Sequence, residues 1–206
     1  YTIVQVGSNN GFTNDPLHDL VRECDCSGYF FEPVQACFDK LVSTYEKRVD
    51  VSQFSRLKFL NQAVSSVSGE ISFYSVSESA RLILGKKIPD WYEQLGSFDR
   101  SHIGSHLNGI LEPFIVETVV QTTTLSDFVR RERLKAIDIL HIDAEGHDLK
   151  VLESLDLDEV LPRVILVEYK HLPSEDKSDL VQLLTTKGYQ ISVFRSDVLA
   201  VQPVNS

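Results

Sequence analysis

The chain has no methionine, one tryptophan and only three cysteines in 206 residues. Lacking even an initiator and opening directly on an apolar run, it reads as a trimmed portion of a longer sequence. Cys24, Cys26 and Cys37 are too few for a disulfide framework, and the single residue between the first two is a poor metal or redox spacing. They are read as reduced thiols, in keeping with a cytoplasmic setting. No apolar stretch approaches the roughly 18–20 residues that span a bilayer. The opening YTIVQVGSNNG has no basic n-region or cleavage site, so no signal peptide is expected. Basic residues are scarce: 20 Lys+Arg against 30 Asp+Glu give a formal net charge of −10 and a pI near 5.0. With no basic cluster to offset that balance, a nucleic-acid backbone and an anionic membrane are excluded as main partners. Repeats, low-complexity tracts and linkers are missing as well, so one domain over residues 1–206 is expected.

What is present alternates strand and helix. The run 2–6 ends in GSNNG and leads to a helix over about 16–24, with Asp15 as N-cap and Pro16 in the first turn. A second strand, 28–31, ends at Glu32-Pro33, and 34–45 sets Val34, Phe38, Leu41, Val42 and Tyr45 on one helical face. A third strand, 57–64, is expected to enter a hairpin through SSVSGE into ISFYSV. Residues 77–113 are weakly periodic and rich in Gly, Ser and His, and they read as an inserted lid or substrate surface. Strand 116–124, helix 125–133, core strand 137–142, helix 148–155, strand 164–169, helix 174–187 and a closing pair at 189–195 and 198–201 complete the pattern. Continuous Val/Ile/Leu strands spaced by helices imply an α/β fold, a doubly wound and mostly parallel sheet covered on both faces. The last two strands lack a helix between them, which predicts a terminal antiparallel hairpin at the edge side.

The segment 139–148, ILHIDAEGHD, is the most informative. An aliphatic strand runs into His141, Asp143, Glu145, His147 and Asp148. Buried carboxylates are costly unless paired or hydrogen-bonded, so this strand end is expected to open into a site. Strand C-termini are where ligands lie in open α/β sheets. The first strand-to-helix turn, Gly7-Ser8-Asn9-Asn10-Gly11, allows close approach of a ligand to backbone N–H groups, although its spacing is not GxGxxG. Glu32, about twenty residues further on at a strand end, suits the two hydroxyls of a ribose. Asp143, Glu145 and Glu168 offer hard oxygen ligands for magnesium, and His141 or His147 would favour a transition metal. Gly146 interrupts the alternation, however, so no metal site is expected. His102 and His106, spaced i, i+4 with no third ligand in sequence, read as exposed lid residues.

In order along the chain, VQVGSNNG, FFEP, NQAVSSVSGEISFY, TTTLSDF, IDILHIDAEGHDLKVLESL and VILVEYKHL resemble the FkbM family of S-adenosylmethionine-dependent methyltransferases. The stretch IDILHIDAEGHDLKVL is similar to the family's KIDVEGHE signature. The resemblance runs from about residue 2 to 200 and leaves out chiefly 77–113. It implies a class I methyltransferase sheet with S-adenosylmethionine across the ends of the first strands. The turn Gly7, Ser8, Asn9, Asn10 and Gly11 would pass beneath its methionine part, and Glu32 would hold the ribose. Asn61, Gln62 and Ala63 would neighbour the adenine, and Asp143 the methionine amine or sulfonium. Gln5 departs from the pattern, because such enzymes commonly carry an acid there, and weaker cofactor binding is expected.

The expected reaction is O-methylation of a sugar, glycan or polyketide-like small molecule. Methyl transfer is an in-line displacement that rewards positioning, and a hydroxyl acceptor needs a base within hydrogen-bond reach. His147 and Glu145 are the first candidates for that base, with Glu168 and His171 second. Two rival readings stand: an NAD-dependent oxidoreductase, which should show GxGxxG, and a non-catalytic nucleotide-binding module, for which Gln5 is the sequence hint.

Overall fold

A computed structural model describes residues 1–194 and 196–203. Eleven strands are present among them: β1 (Thr2–Val6), β2 (Ser27–Phe31), β3 (Leu57–Leu60), β4 (Ala63–Val64), β5 (Gly69–Val76), β6 (Gly96–Ser97), β7 (Ile115–Thr123), β8 (Ile139–Ile142), β9 (Val164–Glu168), β10 (Gln190–Val193) and β11 (Asp197–Val201). Seven form the main sheet in the order β10-β11-β9-β8-β1-β2-β3. All run parallel except β11, which is antiparallel to both neighbours. The terminal antiparallel pair is therefore as expected, with β10 at the edge and β11 inserted beside β9.

The helices are α1 (His18–Glu23), α2 (Gln35–Arg48), α3 (Val51–Phe54), α4 (Ser79–Leu84), α5 (Arg100–Ser105), α6 (Leu125–Glu132), α7 (Asp148–Glu153) and α8 (Ser174–Thr186). No helix among the described residues is long and apolar enough to cross a membrane. Successive strand residues face opposite sides of the sheet, and each side has its own core. Val4, Val6, Leu140, Ile142, Ile165 and Val167 pack under α6, α7 and α8. Ile3, Phe30 and Leu57 pack under α1 and α2. Thr124 caps α6 by accepting from Asp127 N at 3.0 Å, as its position before a periodic apolar run implies. Helix α1 starts later than expected. Asp15 does accept from Leu17 N (2.8 Å), but the helix begins at His18, leaving Pro16 in the preceding turn.

The hairpin expected across SSVSGE is not formed. The third strand ends at Leu60, and Ala63–Val64 leaves the main sheet to pair parallel with β7. The partner of β5 is also β7, antiparallel along its whole length, and a second sheet β4-β7-β5-β6 results. Thr122 settles the choice locally by donating to Val67 O (2.9 Å) and Gly69 O (3.2 Å), which ties the turn to β7. Residues 77–113 are then the long connection between β5 and β7. They carry a small core of their own, with Ala80, Ile88, Tyr92, Leu95, Ile103 and Leu111 all buried.

The tightest approach in the fold lies where β1 ends. Gly7 N and Ser8 N donate to Phe31 O (3.1 and 2.9 Å), and Asp143 N donates to Val6 O (3.0 Å). A Cβ on Gly7 would stand 1.8 Å from Asp143 O, and Gly7 has φ +76°. Both the collision and the left-handed backbone demand glycine. Gly7→Ala is expected to cost well over about 1 kcal/mol in urea unfolding, since alanine is strained at positive φ even without a clash. A loss below half that would show that the two turns can separate.

Candidate functional site

Strand alternation builds the site. Gln5, His141 and Leu166 stand side by side on β1, β8 and β9, and two residues later in each strand come Gly7, Asp143 and Glu168. All six residues line a cavity of about 470 Å³, walled by Ser8, Asn9 and Asp15 and roofed by Trp91, Leu95 and His106 of the insertion. A narrower cleft of about 40 Å³ adjoins it, lined by Val34, Gln62, Ala63, Val64, Phe73 and Phe98. The two share Gly7, Asn9, Gln94, Asp143 and Glu145, so they form one continuous crevice over the strand ends.

At the deep end Gln5 is 1% exposed. Its Nε2 donates to Asp15 Oδ1 (2.9 Å) and to His141 Nδ1 (3.2 Å). That assigns His141 the Nε2–H tautomer, and burial holds its pKa down at about 4. Gln5 Oε1 is buried with no partner among the described residues, and so is Gln62 Oε1 at the other end of the crevice. Burial also raises Asp15 above the ordinary carboxylate range, against hydrogen bonds from Leu17 and Gln5.

Glu32, 3% exposed, is held by backbone donors: Oε2 accepts from Asn9 N (2.9 Å) and Oε1 from Val34 N (2.8 Å). Asn9 adopts φ +48°, a left-handed conformation that asparagine tolerates better than most side chains. The acid therefore shapes the glycine turn as well as facing the cleft. Burial pushes it up to about 7, against the pull of the Val34 and Asn9 amides.

After β8 the chain turns through Glu145 (φ +48°) and Gly146 (φ +91°). A non-glycine residue in that region costs about 1–3 kcal/mol unless the surroundings hold it. Asp148 holds it: fully buried at the start of α7, its Oδ1 accepts from Ala144 N (2.7 Å) and its Oδ2 from Gly146 N (3.0 Å). Burial raises Asp148 to about 7 and, with the charges of Glu145, Asp148, Asp197 and Glu32, raises Asp143 to about 8. Glu168 is pushed up to about 9 by burial and then by Asp143 and Glu145. Its Oε2 is buried with no partner among the described residues.

The reading of His102 and His106 as exposed lid residues does not hold. Helix α5 lays both against the strand ends. His102 Nε2 lies 3.0 Å from Glu145 Oε2 and 3.3 Å from His106 Nε2. His171, after β9, completes the cluster 4.0 Å from Glu145 Oε2 and 3.8 Å from Glu168 Oε1. Their i, i+4 spacing was the available sequence signal; the third imidazole, about seventy residues on, needed the fold.

Gln5, Gly7, Ser8, Asn9, Glu32, Gln62, Ala63, Asp143, Glu145 and Glu168 all line the crevice. Four expected residues do not. Asn10 closes its own turn, accepting from Phe12 N and Thr13 N. Gly11 is buried against Leu41 and Tyr45, and Asn61 donates to Glu32 O and Pro33 O. His147 faces Ser65 Oγ (3.0 Å) and packs under Phe98 with ring centroids 4.5 Å apart. Asp15, read from sequence only as a helix cap, is an addition to the site, and Trp91 lines it from the segment expected to be a lid or substrate surface.

A family profile described as "Methyltransferase FkbM domain" matches residues 5–191. Among solved structures, methyltransferase FkbM from Methylobacillus flagellatus KT superposes with a TM-score of 0.62 at 15% identity, covering 98% of this chain and 44% of that one. This chain thus spans under half the length of that protein. A precorrin-6y C5,15-methyltransferase from Geobacter metallireducens GS-15 gives a TM-score of 0.47 at 8% identity, covering 98% of this chain and 80% of that chain. A search of curated proteins found no match.

The raised Glu32 has a consequence for stability. In the unfolded chain it ionises near 4.5, whereas folded it prefers to stay protonated up to about 7. Its contribution is therefore intact below pH 4.5 and is lost as pH rises through 7, by up to roughly 3 kcal/mol. Glu32→Gln should flatten the decline in urea-unfolding free energy between pH 4.5 and 8 by that order. Parallel pH profiles for the two proteins would show that Glu32 is ionised in the fold.

Proposed function

The chain belongs to the methyltransferase FkbM family, and we propose that it transfers a methyl group from S-adenosylmethionine to a hydroxyl of a sugar, glycan or polyketide-like small molecule. Its sheet is that of the class I, Rossmann-like methyltransferases. The observation that carries the proposal is the crevice itself, with unpartnered buried acceptors at opposite ends, Gln5 Oε1 and Gln62 Oε1. The deep end suits an ammonium group, and the cleft end suits an exocyclic amine on an aromatic base.

The residues present fit S-adenosylmethionine on those grounds. Gln5, Asp15 and Asp143 would hold the amino-acid end, over the floor of Gly7, Ser8 and Asn9. Glu32 keeps lone pairs on both oxygens for ribose hydroxyls while it accepts from Asn9 and Val34. Gln62 and Ala63 would border the adenine, and at about 40 Å³ the cleft requires Phe98 or Gln94 to yield. Asp15 answers the missing acid at Gln5, since its carboxylate shares the same corner of the cavity. When bound, the cofactor supplies an electrophilic methyl carbon, so the protein's tasks are alignment, exclusion of water and removal of one proton. Trp91, Leu95 and His106 close the cavity from above.

For the proton we assign Glu145. Its carboxylate lines both parts of the crevice and is oriented by His102 at 3.0 Å. Glu168, kept neutral by burial, would donate a hydrogen bond to the acceptor. His147 faces Ser65 and positions the 143–148 turn. The three free thiols suit a reducing, cytoplasmic compartment.

Calorimetric titration tests the cofactor: S-adenosylhomocysteine should bind and NAD should not, and the reverse would overturn the reading. Transfer of label from methyl-labelled S-adenosylmethionine to a panel of hydroxylated glycans tests the reaction. Glu145→Gln should lower kcat by about 10²–10⁴-fold, the usual reach of a general base. S-adenosylhomocysteine affinity should change little in that variant. His147→Ala should have the smaller effect, and the opposite order would return the base to His147.

A further inference from the structure

We propose that His102, His106 and His171 form a binding site for one divalent transition-metal ion of the zinc type, which fastens the insertion to the strand ends. The three imidazoles come from two distant segments: the first two from α5 and its C-terminal cap, the third from the loop after β9. Their ring centroids lie 4.9, 5.0 and 5.5 Å apart, and one nitrogen from each falls within 4.8 Å of the other two. Tetrahedral zinc with bonds of about 2.0–2.1 Å sets its donor atoms roughly 3.3 Å from one another. The 3.3 Å between His102 Nε2 and His106 Nε2 already meets that spacing.

Hydrogen bonding alone does not satisfy the cluster. If His102 Nε2 carries a proton, it donates to Glu145 and has no lone pair for His106. If it is bare, it faces the Glu145 carboxylate at 3.0 Å as one acceptor against another. A three-centre bond shared between both neighbours is the best that protons can offer. A cation among the nitrogens removes the conflict, because all three rings then present lone pairs to it. The carboxylates point the same way: among the described residues no lysine or arginine lies within ion-pair distance of Glu145 or Glu168, and their only basic partners are His102 and His171. Lys170 lines the cavity without reaching either.

Nitrogen donors select a borderline ion over magnesium, which demands oxygen. His106, His171 and Glu145 line the main cavity, so three protein ligands would leave a position open to the acceptor. Resting on the methyl-transfer reading, an acceptor hydroxyl at that position would be polarised by the ion and pass its proton to the neighbouring Glu145 carboxylate.

The test uses the 206-residue chain stripped with chelator and titrated with Zn²⁺ by calorimetry and with Co²⁺ by visible absorption, without cofactor. One equivalent should bind, cobalt should give the intense bands of a low-coordinate nitrogen site, and Tm should rise with zinc concentration. His102→Ala and His171→Ala should each weaken binding at least ~10–100-fold, the loss seen even for outer-shell partners. Circular dichroism would confirm that each variant folds. Failure of the folded wild-type chain to bind either ion overturns the proposal. So does binding unchanged in both variants, which would place the ion on the cysteines or elsewhere, or a preference for Mg²⁺, which would place it on Glu145 and Glu168. None of these readouts depends on methyl transfer.

Discussion

The site depends on one contact, the approach of the Gly7 turn to the carbonyl of Asp143. Because β1 and β8 are parallel neighbours, their C-terminal turns leave the sheet on the same edge and compete for the same space. Glycine at position 7 resolves the competition, and Phe31 O anchors the turn through two amides. Everything that lines the crevice is referenced to that junction: Gln5 and Glu32 on one side of it, Asp143 and Glu145 on the other.

Electrostatics follow from that geometry. Parallel strands aim their last residues at one edge, so acids at strand ends accumulate there whatever their individual roles. Glu32, Asp143, Asp148 and Glu168 are all pushed above the ordinary carboxylate range, chiefly by burial. Two of the four are satisfied by backbone amides and serve as braces, Glu32 for the glycine turn and Asp148 for the 143–148 turn. Among the described residues Asp143 and Glu168 have no such donors, and both line the cavity. The division between brace and ligand-facing acid is thus made by which backbone N–H groups happen to point at each carboxylate.

That division explains what the sequence could and could not show. Strand and helix order, the parallel sheet and the polar strand end at ILHIDAEGHD were legible, because hydrophobic periodicity and the cost of burying charge are local. The misplaced hairpin at SSVSGE was not. A turn signal says that the chain reverses, but β5 chose β7, some forty residues on, through the Thr122 hydroxyl and a longer matched register. His147 was the first candidate for the base and Asp148 the expected start of a helix. The helix start was legible, whereas the turn of His147 towards Ser65, some eighty residues earlier, was not. Asn10 and Asn61 sit in motifs whose other residues line the crevice, yet each spends its amide on local backbone or side-chain partners.

Within the insertion, the exposure of His102 and His106 was the part least legible locally, and for a definite reason. The segment's periodicity is weak because α5 is short and its core is shared with β5 and β7, so no helical stripe announces which face is buried. Yet Ile103 is fully buried, and in a helix a buried residue fixes the direction of its neighbours. With Ile103 turned into the insertion's core, His102 and His106, one turn apart, are carried together onto the adjacent face. That face meets the 143–148 turn, where left-handed Glu145 presents its carboxylate upward. The roof and the floor of the cavity therefore meet through carboxylate and imidazole groups at His102 and Glu145, beside the packing of Phe98 on His147.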